Sequence, residues 1–172
     1  MRHAVRLFCA ATALMLSGAI AFSQQGAPMF GGFLANSADP ISIDADELQW
    51  SQQSGRDVLE YTGGVIASRG DMRISAARLA VFLPNELGAD RTFDRIEASG
   101  NVTMRAGDQN VSADVAIMDM VGQTVTMSGS VELNDGTNEM GGDRLTIDLT
   151  TGNWQLSGTD RVRTIINPDN DQ

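Results

Sequence analysis

The chain contains no lysine; all 12 of its basic residues are arginine. It has one histidine, His3, one cysteine, Cys9, and aromatic residues make up only 5% of its 172 positions. His3 and Cys9 both fall in an N-terminal stretch that reads as a secretory signal peptide. Arg2 and Arg6 precede an apolar run over 7–20, and Ala19-Ile20-Ala21 supplies the small-x-small cleavage site. The run is short for a bilayer span of about 20 residues. Cleavage after Ala21 leaves a chain without cysteine, histidine or lysine. That excludes disulfides, a Ser-His-Asp triad, a thiol nucleophile, a lysine Schiff base and a histidine-ligated zinc. Carboxylate chemistry is the remaining catalytic option. However, the regularly spaced aspartates sit at a repeated structural position, which points to corner hydrogen bonding instead of an acid/base pair. No metal site or cofactor is expected. Removing Arg2 and Arg6 leaves 10 basic against 22 acidic residues, a net charge of 10 − 22 = −12. Such a surface argues against nucleic acid as a partner.

Long helical stripes are also missing. From Pro40 to about Ile166 the apolar period is two, the strand signature, with turn residues between the runs: Ser54-Gly55, Gly70-Asp71, Pro84-Asn85, Gly107-Asp108, Asp135-Gly136 and Gly152-Asn153.

What is present is one short pattern copied four times. Each copy opens on an alternation ending in a small residue: Ile41-x-Ile43-x-Ala45, Met72-x-Ile74-x-Ala76, Val111-x-Ala113, Met140-x-Gly142. Asp46, Ala77, Asp114 or Asp143 follows, and the alternation resumes shifted by one residue: Leu48/Trp50, Leu79/Val81, Ala116/Met118, Leu145/Ile147. Each copy closes on a strand centred on Gly63, Gly100, Gly129 or Gly158, spaced 37, 29 and 29 residues apart. Units this small cannot bury an apolar face alone, so they stack. A one-residue slip in a period-two pattern inverts the faces unless the strand bulges or turns a corner there. The glycines, in phase with the apolar residues, are expected to point inward. The strands should therefore fold around an edge, so that two layers face each other across one apolar interior. The second unit is the longest and should carry an extended surface loop over 84–92.

The interior is expected to be soft. Methionines concentrate at Met104, Met118, Met120, Met127 and Met140, and aromatics are few, with one tyrosine, Tyr61, and two tryptophans, Trp50 and Trp154. Methionine and alanine give an adaptable lining where a tight sandwich would use bulkier, better-shaped fillers. Composition leaves two readings open, an ordinary methionine-rich core and a groove that accommodates flexible acyl chains. The domain organisation that follows is a signal peptide over 1–21, a mobile leader over 22–38, one β-domain over 39–167 and a polar tail over 168–172.

The units resemble the OstA-like repeats of the lipopolysaccharide-transport proteins, and the whole β-domain resembles the family's periplasmic bridge type. The resemblance lies in 40–46 (PISIDAD), 61–70 (YTGGVIASRG), 98–102 (ASGNV), 127–131 (MSGSV), 142–145 (GDRL) and 161–168 (RVRTIINP), in that order. The resemblance implies an all-β fold, a twisted antiparallel β-jellyroll open at both ends. It implies a non-enzymatic, periplasmic carrier that moves lipopolysaccharide from the inner to the outer membrane by holding its acyl chains. On this reading Ile41, Ile43, Leu79, Val81, Val102, Met104, Met118, Met127, Leu133 and Ile147 line the interior and contact lipid. Implied partners are lipopolysaccharide, the anchored inner-membrane jellyroll subunit LptC, the outer-membrane translocon LptD, and further copies of the chain stacked head to tail. Stacking would use the first strand, with Ile41, Ser42 and Ile43, and the last, read as 161–166, with Val162, Thr164 and Ile166 facing the interior. Two other readings stand beside it: the anchored subunit itself, which keeps its N-terminal helix, and a secreted structural β-solenoid without lipid.

Overall fold

The computed structural model describes residues 39–85 and 92–167. The expected signal peptide, leader and polar tail lie outside the described residues, as do residues 86–91 of the expected loop.

Ten strands form one antiparallel sheet: β1 (Ser42–Asp44), β2 (Glu47–Gln53), β3 (Arg56–Arg69), β4 (Met72–Phe82), β5 (Arg95–Ala106), β6 (Gln109–Asp119), β7 (Thr124–Asn134), β8 (Glu139–Asp148), β9 (Trp154–Ser157) and β10 (Arg163–Ile165). Their order is β1-β3-β4-β5-β6-β7-β8-β10, with β2 also beside β3 and β9 also beside β8. The alternation in the sequence is the alternation of burial. In β5, Ile96, Ala98, Val102 and Met104 are buried, whereas Arg95, Glu97, Thr103 and Arg105 are not. β2 and β3, β3 and β4, and β5 and β6 connect by tight turns, whereas 83–94 separate β4 from β5. Ser54 and Gly55 both take positive φ, 52° and 79°, as a two-residue turn matched to strand twist requires.

Each long strand breaks register once, midway. The pairing jumps from Thr62↔Arg78 to Val65↔Ala76, from Ser99↔Val115 to Val102↔Ala113, and from Ser128↔Arg144 to Val131↔Gly142. Two residues on the glycine strand thus oppose one on its neighbour, the signature of a bulge. At each bulge the glycine and the residue after it both have left-handed backbone: Gly63 and Gly64, Gly100 and Asn101, Gly129 and Ser130. The strand bends there. Residues from both sides of the bend, such as Ile96 and Met104 on β5, join one buried apolar cluster. The sheet is therefore folded over into two layers. β2, β9 and one half of each long strand make the first layer; β1, β10 and the other halves make the second.

Two expectations need correction. The central glycines are corner residues, not lining ones: Gly100 is exposed, and a Cβ there would meet Ala77. The last strand is shorter than 161–166. The final corner spans Gly158 to Arg161, with the Thr159 N–H donating to the Asp143 carboxylate, and pairing resumes only at Arg163. Thr164 lies opposite Met140, six residues past Gly158, where β5 reaches the equivalent place, Met104 opposite Ile74, four residues past Gly100.

Candidate functional site

The interior between the layers is the site built by every repeat. Leu79, Val81, Val102, Met104, Met118, Met127, Leu133 and Ile147 are all buried within one cluster. Ile41 and Ile43 are half-buried and pack against it. Ile41 itself precedes β1, which starts at Ser42. The cluster also takes in Val65, Met72, Ile74, Val111, Val125, Val131 and Leu145, which carry the same alternation and could have been singled out from it. Methionine thioethers lie on both sides of the fold, Met72 and Met104 in the second layer and Met118 and Met127 in the first.

Charge is kept off this surface. The one buried charged residue among those described, Asp94, sits at a turn, where Arg56 approaches it at 3.4 Å. Its N–H donates to Phe82 O, and its carbonyl accepts the Met120 N–H, both at 2.9 Å. Other ion pairs lie on the outer face. Arg78 donates to both Glu60 carboxylate oxygens, at 2.8 and 2.7 Å, and these hydrogen bonds hold the Glu60 carboxyl below its usual range. Arg95 donates to Glu97 at 2.6 Å.

Among the described residues nothing caps the interior at either end. At one end β2 places Leu48 and Trp50 opposite Tyr61 and Leu59, on the inward side. Trp50 is nevertheless 62% exposed, because no described strand lies beyond it. At the other end β9 places Trp154 and Leu156 opposite Ile147 and Leu145, and Trp154 is 39% exposed. In the second layer the end strands are β1 and β10. Thr164 takes the inward side, opposite Met140, while Val162 and Ile166 flank the short strand and are exposed. Among the described residues each end strand has one paired side and one free side, and the free side carries unpaired N–H and C=O groups.

A shallow polar groove of about 360 Å³ opens on the outer face, beside β10. Gly141 leaves it open, between Glu132 on one neighbouring strand and Arg163 on the other. No group of three or more metal-ligating side chains occurs among the described residues. No helix there is long and apolar enough to cross a membrane.

Residues 42–153 match the family described as LptA/(LptD N-terminal domain) LPS transport protein. The chain belongs to this family. It is accordingly a non-enzymatic component of lipopolysaccharide transport. An uncharacterized protein of Rhizobium meliloti is 26% identical over 160 residues, covering 90% of this chain and 85% of that protein. The LPS-assembly protein LptD of Photobacterium profundum is 25% identical over 130 residues. That match takes in 74% of this chain but only 16% of the far longer LptD. Among solved structures, LptH, the LptA-homologous periplasmic component of the lipopolysaccharide transport device of Pseudomonas aeruginosa, superposes with a TM-score of 0.59. The superposition covers 75% of this chain and 96% of that one at 14% identity, and it bears out the open antiparallel jellyroll.

Proposed function

We propose that this chain is a periplasmic bridge. It holds lipopolysaccharide by its acyl chains between the two layers and passes it from the inner membrane toward the outer. The observation that carries the reading is the continuity of the apolar interior: it runs from β1 through β3–β8 to β9, and among the described residues nothing covers its ends, with Trp50 at one and Trp154 at the other. A sealed core would end beneath a covering loop, helix or strand. An interior that is open at its ends can be lengthened by another of the same kind. The free edges of β1/β2 and β9/β10 suit strand addition, in which backbone pairing supplies affinity and the inward side chains supply selectivity. Further copies of the chain, the anchored subunit LptC and the jellyroll of LptD are the partners this reading assigns to those edges. Ile41, Ile43, Leu79, Val81, Val102, Met104, Met118, Met127, Leu133 and Ile147 are the residues assigned to the acyl chains.

Photo-crosslinking residues test the lining. Placed at Ile43, Met104 or Met118 they should capture lipopolysaccharide in cells; placed at Glu60 or Arg73, on the outer face, they should not. Equal capture from both faces would overturn the interior as the binding surface. N-terminal sequencing of the periplasmic form should begin near Phe22. A membrane-bound form that keeps Met1 would point to the anchored subunit instead.

A further inference from the structure

The four repeats fix not only a fold but a register, and that register can be continued past the last strand. In each of the first three repeats the glycine strand pairs with the strand that opens the next unit, in one fixed way. The residue four before the glycine lies opposite the residue four after Asp46 or its equivalent: Leu59↔Val81, Ile96↔Met118, Val125↔Ile147. The residue two before lies opposite the residue two after: Tyr61↔Leu79, Ala98↔Ala116, Met127↔Leu145. β9, built around Gly158, keeps this register on its paired side, with Leu156 opposite Leu145. No described strand pairs with its other side.

The two free edges suit each other. Strand direction alternates from β2 through β3 to β8 and β9. β9 of one copy is therefore antiparallel to β2 of a copy placed after it. The first edge runs from 42 to 53 and the last from 154 to 165, 12 residues each (53 − 42 + 1 and 165 − 154 + 1), and each turns one corner on the way. Extending the register puts 158 − 4 = 154 opposite 46 + 4 = 50. We infer that, where two copies stack, Trp154 of one lies directly opposite Trp50 of the next, and that this pair of tryptophans is the apolar clasp of the joint.

The inference rests on the stacking reading above and adds its register. The surroundings agree with it. Leu156 falls opposite Leu48 of the next copy, continuing the interior. In the second layer, Thr164 occupies the place that pairs as Met104↔Val111 and Leu133↔Met140, so it falls opposite Ile43. Arg163 then falls opposite Asp44, bringing opposite charges together on the outer face. The exposure of the two tryptophans is also accounted for, because both stand on the inward side and lack only a neighbouring strand. Directly opposed residues in an antiparallel pair have Cβ atoms about 4.5–5.5 Å apart, close enough for indole rings to pack offset or edge to face.

The test uses cysteine pairs in the full chain carrying Cys9→Ser, with light scattering to follow assembly. One copy carries Trp154→Cys and the other Trp50→Cys; mild oxidation of the mixture should give covalent dimers that neither variant forms alone. Trp154→Cys mixed with Leu48→Cys or Gln49→Cys should give several-fold less. A second mixture, Gln155→Cys with Gln49→Cys, probes the adjacent opposed pair while keeping both tryptophans, in case their loss weakens the joint. In the wild type, tryptophan emission should shift to the blue as concentration rises. Assembly with the strongest cross-linking in a shifted pair, or with unshifted emission, would overturn the register and leave stacking standing. Absence of any assembly, with no cross-link from either mixture, would overturn stacking and the clasp together.

Discussion

A Cβ built on Gly100 would stand 2.7 Å from the Cβ of Ala77. Gly100 also has a φ of 82°, in the left-handed region. Gly100→Ala therefore meets both a steric contact and an unfavourable backbone, and it should cost about 1–3 kcal/mol. The urea midpoint reads this directly, and an unchanged midpoint would mean the corner is not what bends the sheet.

The complementary change should be harmless. Ala77 takes the place that Asp46 and Asp114 take at the corners facing Gly63 and Gly129. Ala77→Asp restores the residue those corners already accept, with its carboxylate at an exposed position. Its effect should stay within about 0.5 kcal/mol. A loss of several times that would show the second corner to be built differently from the others.

Acid should act through turn aspartates. The Asn138 backbone N–H, with its side-chain amide, holds the Asp135 carboxyl below its usual range. The Thr159 N–H does the same for Asp143, and the Thr151 and Thr150 N–H groups for Asp148. A carboxyl whose folded pKa is lowered adds stability that is present above the unfolded value, about 3.9 for aspartate, and lost as pH falls through the folded one. The one histidine of the chain is His3. The melting temperature should therefore be level from about pH 8 to about pH 5 and fall below about pH 4. A step between pH 6 and 7 would contradict this.

Truncating Met127, which is fully buried in the interior, should cost about 2–5 kcal/mol as Met127→Ala. Val121→Ser, on an exposed turn, should change stability by less than about 0.5 kcal/mol. Paired denaturation curves separate the two. Equal effects would mean that the interior is not packed as described.

Much of this was legible because a half-buried strand writes its two faces into alternate residues. The inward positions from Leu79 to Ile147 followed from period two alone, and the slips at Ala77 and Asp114 marked the corners. What alternation does not encode is backbone handedness. Gly100 kept the inward phase in the sequence, yet a left-handed pair, Gly100 and Asn101, turns the strand there and leaves the glycine outside. The last strand misled for a similar reason. Arg161 and Val162 continue the alternation, but the wider corner after Gly158 uses them as connection. The ends were legible as edges, whereas the inferred apposition of Trp154 and Trp50 needed the register of the three complete joints within the chain.

The sheet folds like a book. Gly63, Gly100 and Gly129 lie along its spine, and the hairpin turns lie along its fore-edge. Among the described residues, strand pairs run across each cover and none crosses from one cover to the other. The covers are held together by apolar contact, which has no direction and no fixed partner. Parting them sacrifices buried area but no rung of the ladder, and any hydrocarbon slipped between them gives that area back. On the proposed function, the empty protein would close on its own side chains and the loaded one on its acyl guest, a binding easy to enter and easy to leave.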